Sequence, residues 1–81
     1  MSVRFLCFAQ ARDAAGGPQV ELEVNGEQPL GALLERLAAD HPGLQPLLPY
    51  CAFALNGAWC EREAVVADGA EVAILPPVSG G

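Results

Sequence analysis

The sequence predicts an α+β roll in which one mixed β-sheet packs against one main helix. Three observations carry this prediction. Residues 19–24 alternate between apolar and polar side chains, residues 30–38 repeat apolar side chains at helical spacing, and Asn56-Gly57 separates two apolar runs as a tight turn. The chain has 81 residues and 8.4 kDa, enough for one thin core, so a single domain is expected over residues 1–81. With 52% hydrophobic and 17% charged residues, it can bury apolar surface on a scale that disordered segments cannot match.

Val3 to Ala9 is bulky, partly aromatic and short, and reads as a strand. Gln10 to Pro18, with Asp13 and Gly16-Gly17-Pro18, reads as a loop. Gln19 to Val24 then places Val20, Leu22 and Val24 on one face and two glutamates on the other, and Asn25-Gly26 closes this half-buried strand. Pro29 suits a first helical position, where its missing N–H costs nothing. From there Leu30, Leu33, Leu34, Leu37 and Ala38 form one apolar stripe opposite Glu35, Arg36, Ala39 and Asp40, and His41-Pro42-Gly43 stops the helix. Leu44 to Pro49, with prolines at 46 and 49, is expected to be irregular.

Asn56-Gly57 supplies the positive φ values of a type I′ turn. The two-residue turn fixes the register of its hairpin: Leu55 opposite Ala58, Ala54 opposite Trp59, and Phe53 opposite Cys60. Asp68-Gly69 marks a further turn, Glu71 to Leu75 is the last strand, and Pro76-Pro77 ends it because neither proline donates to a ladder.

One helix covers one face of a sheet. If Phe53 and Leu55 face the helix, Trp59 lies on the open face. Arg4 marks the wet side of the first strand, which sends Val3, Phe5 and Cys7 inward and leaves Leu6 and Phe8 outside. In the last strand Val72 and Ile74 point inward while Ala73 and Leu75 point out. Leu6, Phe8, Trp59 and Leu75 thus form an expected apolar patch on the open face, which implies association with another protein.

Four basic residues against ten acidic ones give a formal net charge of -6, which phosphate backbones and anionic lipid repel. Nucleic acid and membrane surfaces are therefore poor partners, and a basic protein surface is a better one. No apolar run approaches the roughly 20 residues of a membrane span, and no signal-type N-terminus is visible, so a cytoplasmic location is expected. Cys7, Cys51 and Cys60 lack metal-ligand spacing and read as reduced, small apolar side chains; no metal site is expected. His41 has no visible partner for acid–base work, and Gly16-Gly17 lacks both the Walker lysine and GxGxxG spacing. All four basic residues are arginines, Arg4, Arg12, Arg36 and Arg62, so the chain has no lysine.

The end is distinctive. After Leu75 a stiff diproline leads through Val78 and Ser79 to Gly80 and Gly81. Six residues span at most about 20 Å at ~3.3 Å each. That is long enough to enter another protein's pocket, and two glycines, lacking Cβ, can thread a narrow channel; composition alone favours an ordinary frayed glycine terminus.

Phe8-Ala9-Gln10-Ala11-Arg12-Asp13, the Asn56-Gly57 hairpin, Asp68-Gly69-Ala70-Glu71-Val72 and above all Pro76-Pro77-Val78-Ser79-Gly80-Gly81 resemble the MoaD-type ubiquitin-like sulfur carriers, the small subunits of molybdopterin synthase. The likeness spans essentially the whole chain. It implies a ubiquitin-like β-grasp fold with a free C-terminal Gly-Gly tail over 76–81. It also implies a non-catalytic sulfur donor whose active site lies on a large subunit, the two assembling as a heterotetramer. An activating enzyme of the MoeB type would use ATP and Mg²⁺ to adenylate Gly81, with no cofactor bound permanently to this chain. Sulfur from a persulfide donor would then give a thiocarboxylate, which passes its sulfur to cyclic pyranopterin monophosphate to build the molybdopterin dithiolene. The resemblance makes Gly81 the adenylation and thiocarboxylation site and Gly80 the threading residue, with Pro76, Pro77, Val78 and Ser79 in the partner's channel. Trp59 and Leu75 fall at positions of the family's apolar contact surface. Ser79 replaces the commoner threonine. A sulfur carrier for thiamin or another pathway shares the Gly-Gly chemistry, and a non-reactive ubiquitin-like binding module would use the open face alone.

Overall fold

The computed structural model describes residues 1–77. Five strands form one mixed sheet: β1 Ser2–Cys7, β2 Gln19–Glu23, β4 Ala52–Leu55, β5 Ala58–Cys60 and β7 Glu71–Leu75, in the order β2-β1-β7-β4-β5. The central pair β1 and β7 runs parallel, and every other pairing in this sheet is antiparallel. A second ribbon pairs β3 Gln28–Pro29 with β6 Val65–Val66. The helix α2, Leu30–Asp40, lies across one face of the sheet, and the architecture is a ubiquitin-like β-grasp.

The core follows from the two periodicities. Leu30, Leu33, Leu34 and Leu37 of α2 are fully buried against Val3 and Phe5 of β1 and Val72 and Ile74 of β7. Cys7, Phe53 and Leu44 complete the same cluster. Leu55 packs at its margin and stays half-buried.

Residues 10–18, expected to be a loop, contain a helix instead: α1, Ala9–Ala15. Its buried face consists of Ala11 and Ala15, one turn apart. Alanine has the highest helix propensity but so little apolar area that the periodicity is faint in sequence. Gly16, at φ 81, ends the helix in the left-handed conformation, and the N–H groups of Gly16 and Gly17 close onto the carbonyls of Asp13 and Arg12. Accordingly β1 stops at Cys7, and the chain turns away through Ala9, which is itself at φ 49.

Pro29 is not the first residue of α2 but its N-cap, with an extended ψ of 145° that lets it pair with Val65. The first helical N–H groups are satisfied by a strap from across the chain: Leu30 N–H donates to the Ala64 carbonyl at 2.8 Å and Gly31 N–H to that of Arg62 at 2.9 Å. The segment after α2 is ordered as two 3₁₀ turns, Pro42–Leu44 and Leu48–Tyr50, which bury Leu44 and Leu48. The first lies against α1, where a Cβ on Gly43 would stand 3.2 Å from that of Ala14.

Candidate functional site

The hairpin has the register its turn dictates. Phe53 faces Cys60, Ala54 faces Trp59 and Leu55 faces Ala58, with Asn56 at φ 50 and Gly57 at φ 86. Following the pairings across the sheet, Leu6 lies opposite Ala73, Ala73 opposite Ala54, and Ala54 opposite Trp59. These four side chains form one continuous apolar row on the face away from α2. The neighbouring row, nearer the end of β7, pairs Leu75 with Ala52, and Phe8 stands beside it with its N–H on the Ile74 carbonyl.

The structure therefore brings Leu6, Phe8, Trp59 and Leu75 to one face. Trp59 is 74% exposed and Phe8 46%, while Leu6 and Leu75 are half-buried by their neighbours. The alanines at 52, 54 and 73 keep the surface between the large side chains low, so Trp59 stands as a ridge beside a shallow floor. Pro76 and Pro77 continue from the apolar end of this face. Val78, Ser79, Gly80 and Gly81 lie outside the described residues.

The opposite end of the same face is charged. Arg4 pairs in register with Glu21 and Glu71, and its Nη1 lies 3.3 Å from Glu71 Oε2. Both side chains are about half exposed, so solvent screens this pair and it contributes little to stability. The face thus divides into an apolar half near the last strand's end and an acidic half near its start.

Two further groups position this face. Asn56 exchanges hydrogen bonds with Glu71: its N–H donates to the Glu71 carbonyl at 2.8 Å and its Oδ1 accepts from the Glu71 N–H at 2.9 Å. Behind the hairpin, the Arg62 guanidinium donates to the Leu48 carbonyl at 3.0 Å and lies 5.5 Å from the centre of the Phe53 ring. The Asn-Gly turn signalled the first; nothing local in the sequence signalled the second.

The cysteines do not form a reactive centre. Burial raises the pKa of Cys7. Burial also raises that of Cys51, with Arg62 opposing, and that of Cys60, with Glu61 adding and a Leu55 backbone hydrogen bond opposing. All three thiols are free, and the Cys51 thiol donates to the Leu47 carbonyl at 3.2 Å. Thiols held this way stay protonated at neutral pH and are poor nucleophiles. His41 caps the end of α2. Among the described residues no group of His, Cys, Asp and Glu is arranged to hold a metal ion, and no helix is long and apolar enough to cross a membrane.

The model of the ThiS family matches residues 5–81. The chain belongs to this family. Among ThiS-like relatives, the molybdopterin synthase sulfur carrier subunit of Chlamydomonas reinhardtii is 38% identical over 84 residues, covering 100% of both chains. The crystal structure of Haloferax volcanii small archaeal modifier protein 1 superposes with a TM-score of 0.87 at 26% identity, covering 95% of this chain and 98% of that one. A chain in the complex of subunits 1 and 2 of molybdopterin-converting factor from Helicobacter pylori superposes with a TM-score of 0.69 at 27% identity, covering 100% of both chains.

Proposed function

We propose that this ThiS-family chain is the sulfur carrier subunit of a molybdopterin synthase. The observation that carries the reading is the apolar row Leu6, Ala73, Ala54 and Trp59, left open among the described residues and crossing the strand from which the Pro76-Pro77 arm departs. A docking face and a delivery arm on adjacent structure are what a carrier needs. The full-length likeness to the Chlamydomonas carrier and to a chain solved in complex with a second subunit supports the same reading.

In this reading the large subunit covers the open face, with Leu6, Phe8, Trp59 and Leu75 in the contact, while Pro76 to Gly80 lead Gly81 into its active site. A carboxylate is a poor acyl electrophile. An activating enzyme of the MoeB type therefore transfers AMP from ATP, with Mg²⁺, to the Gly81 carboxylate and releases pyrophosphate. The outer sulfur of a persulfide donor attacks the acyl carbon and displaces AMP. A thiol then cleaves the S–S bond of the acyl disulfide and leaves the donor as a disulfide. The thiocarboxylate so released is an ionised, polarizable nucleophile that attacks cyclic pyranopterin monophosphate. The acid, base and phosphate-binding groups come from the partner.

Intact mass after incubation with the activating enzyme, ATP, Mg²⁺ and a persulfide donor tests the proposal. The expected product has one oxygen exchanged for sulfur, and it restores dithiolene synthesis by the large subunit. An unchanged mass, under conditions where the same enzyme charges its own cognate carrier, would overturn it. A second reading is favoured by the likeness to a protein named a small archaeal modifier: the activated Gly81 acylates amines of other proteins. Covalent adducts of this chain that form with ATP, in the absence of a sulfur donor, would distinguish it.

A further inference from the structure

We propose that the fold keeps its own activated terminus inert toward itself: no primary amine of the chain lies where its own tail can deliver an acyl group. This rests on the activation of Gly81 proposed above, and concerns what happens to the acyl-adenylate before transfer. An amine that attacks the Gly81 carbonyl carbon forms a C–N bond, breaks the bond to the AMP oxygen, releases AMP and loses a proton to water. On a tether this short, the effective concentration of an amine within reach is about millimolar or higher. One well-placed lysine would therefore divert the carrier into a dead-end ring.

The sequence removes that hazard in its composition. Its cations are four arginines, and it has no lysine. A guanidinium stays protonated in proteins and is not an acyl acceptor at neutral pH. Three of the arginines make polar contacts within the fold: Arg4 pairs with Glu71, Arg36 donates to the Glu23 carbonyl at 2.7 Å, and Arg62 to the Leu48 carbonyl.

The topology removes the remaining amine, at Met1. Because β1 and β7 run parallel, the start of β1 and the end of β7 lie at opposite ends of the sheet. The register pairs Cys7 with Ile74, so Leu75 is one rung further on and Met1 is seven rungs back, about 23 Å at ~3.3 Å per rung. Six residues after Leu75 reach at most about 20 Å fully extended. β7 itself points away from Met1 where it ends, and Pro77 holds Pro76 in an extended conformation that opposes reversal. The tail cannot reach Met1 in its own chain.

Placing amines at the two ends of the sheet tests this. Glu61 is exposed and stands one rung beyond the Phe53–Cys60 pair, in the row of Ala52 and Leu75. Tyr50 is 74% exposed in the 3₁₀ turn entering β4 at that same end. Glu23, opposite Ser2, is at the far end. Each variant and the parent chain are treated with activating enzyme, ATP and Mg²⁺ without a sulfur donor. Intact mass and peptide mapping then read the loss of one water through an internal amide. E61K and Y50K are expected to accumulate that product while the parent and E23K accumulate none. Its appearance in the parent, or its absence from both E61K and Y50K although they release pyrophosphate like the parent, would overturn the inference. Failure of the parent itself to release pyrophosphate would instead count against the carrier function.

Discussion

Asn56 and Glu71 are joined by two reciprocal hydrogen bonds, at 2.8 and 2.9 Å, that tie the turn carrying Trp59 to the strand ending at Leu75. Asn56 also holds a left-handed φ of 50, which asparagine tolerates better than most residues. One side chain thus sets both the hairpin twist and the position of the exposed tryptophan relative to the departing arm. Asn56→Ala loses the Oδ1 acceptor and strains the turn, and should destabilise the fold by about 1–2 kcal/mol. Asn56→Gly keeps the φ and loses only the side-chain bond, so it should cost roughly half as much. Urea unfolding of the three chains checks the order.

Trp59 should behave as a binding residue rather than a folding one. At 74% exposure it contributes little to the core, so Trp59→Ala should leave the unfolding midpoint nearly unchanged. Under the proposed function, affinity for the large subunit should fall by at least about 2 kcal/mol, some thirtyfold, if Trp59 is an aromatic anchor of that contact. Calorimetric titration against the large subunit, beside thermal unfolding of the free chain, separates the two effects.

Gly31 and Gly43 should respond to alanine in opposite directions. A Cβ at Gly31 meets only ordinary contacts, 3.6 and 3.7 Å from Arg62 atoms, and the position is helical. Gly31→Ala should therefore stabilise by roughly 0.5–1 kcal/mol. At Gly43 the added carbon presses on Ala14 at 3.2 Å, where α1 meets the 3₁₀ turn, and should destabilise by about 1 kcal/mol or more. Thermal unfolding reads both signs.

The cysteines make stability fall in alkali. In the folded chain all three thiols hold their protons to higher pH than in the unfolded chain, where cysteine ionises near about 8.5. Above that pH the unfolded state binds fewer protons than the folded one, so the unfolding free energy decreases as pH rises through the unfolded pKa, until the folded thiols ionise too. Denaturant midpoints under reducing conditions should drop between pH 8 and pH 10, and a variant with all three cysteines replaced by alanine should show a shallower drop.

What the sequence revealed depended on how local the determining physics was. The Phe53–Cys60 register was legible because a two-residue turn leaves one pairing, and strand alternation then carried Leu6, Ala73 and Trp59 to a common face. The α2 stripe was legible because five bulky or small apolar residues share one side. By contrast α1 turns on two alanines whose packing partner, around Gly43, is distant in sequence. The two-residue strands β3 and β6 have no periodicity to read, and they exist because Pro29 and Val65 are brought together by the fold. In the sequence Arg62 is only one of four arginines, yet its guanidinium reaches back to Leu48 and Phe53, a contact no short-range pattern announces.

The strap across the start of α2 has one more effect. A helix N-terminus with unengaged amides is the usual cradle for a phosphate, but here the carbonyls of Ala64 and Arg62 occupy its leading N–H groups. The main helix is plugged where it would otherwise grip a nucleotide. Under the proposed function, the phosphates of the activating nucleotide are then held by the activating enzyme and not by this helix.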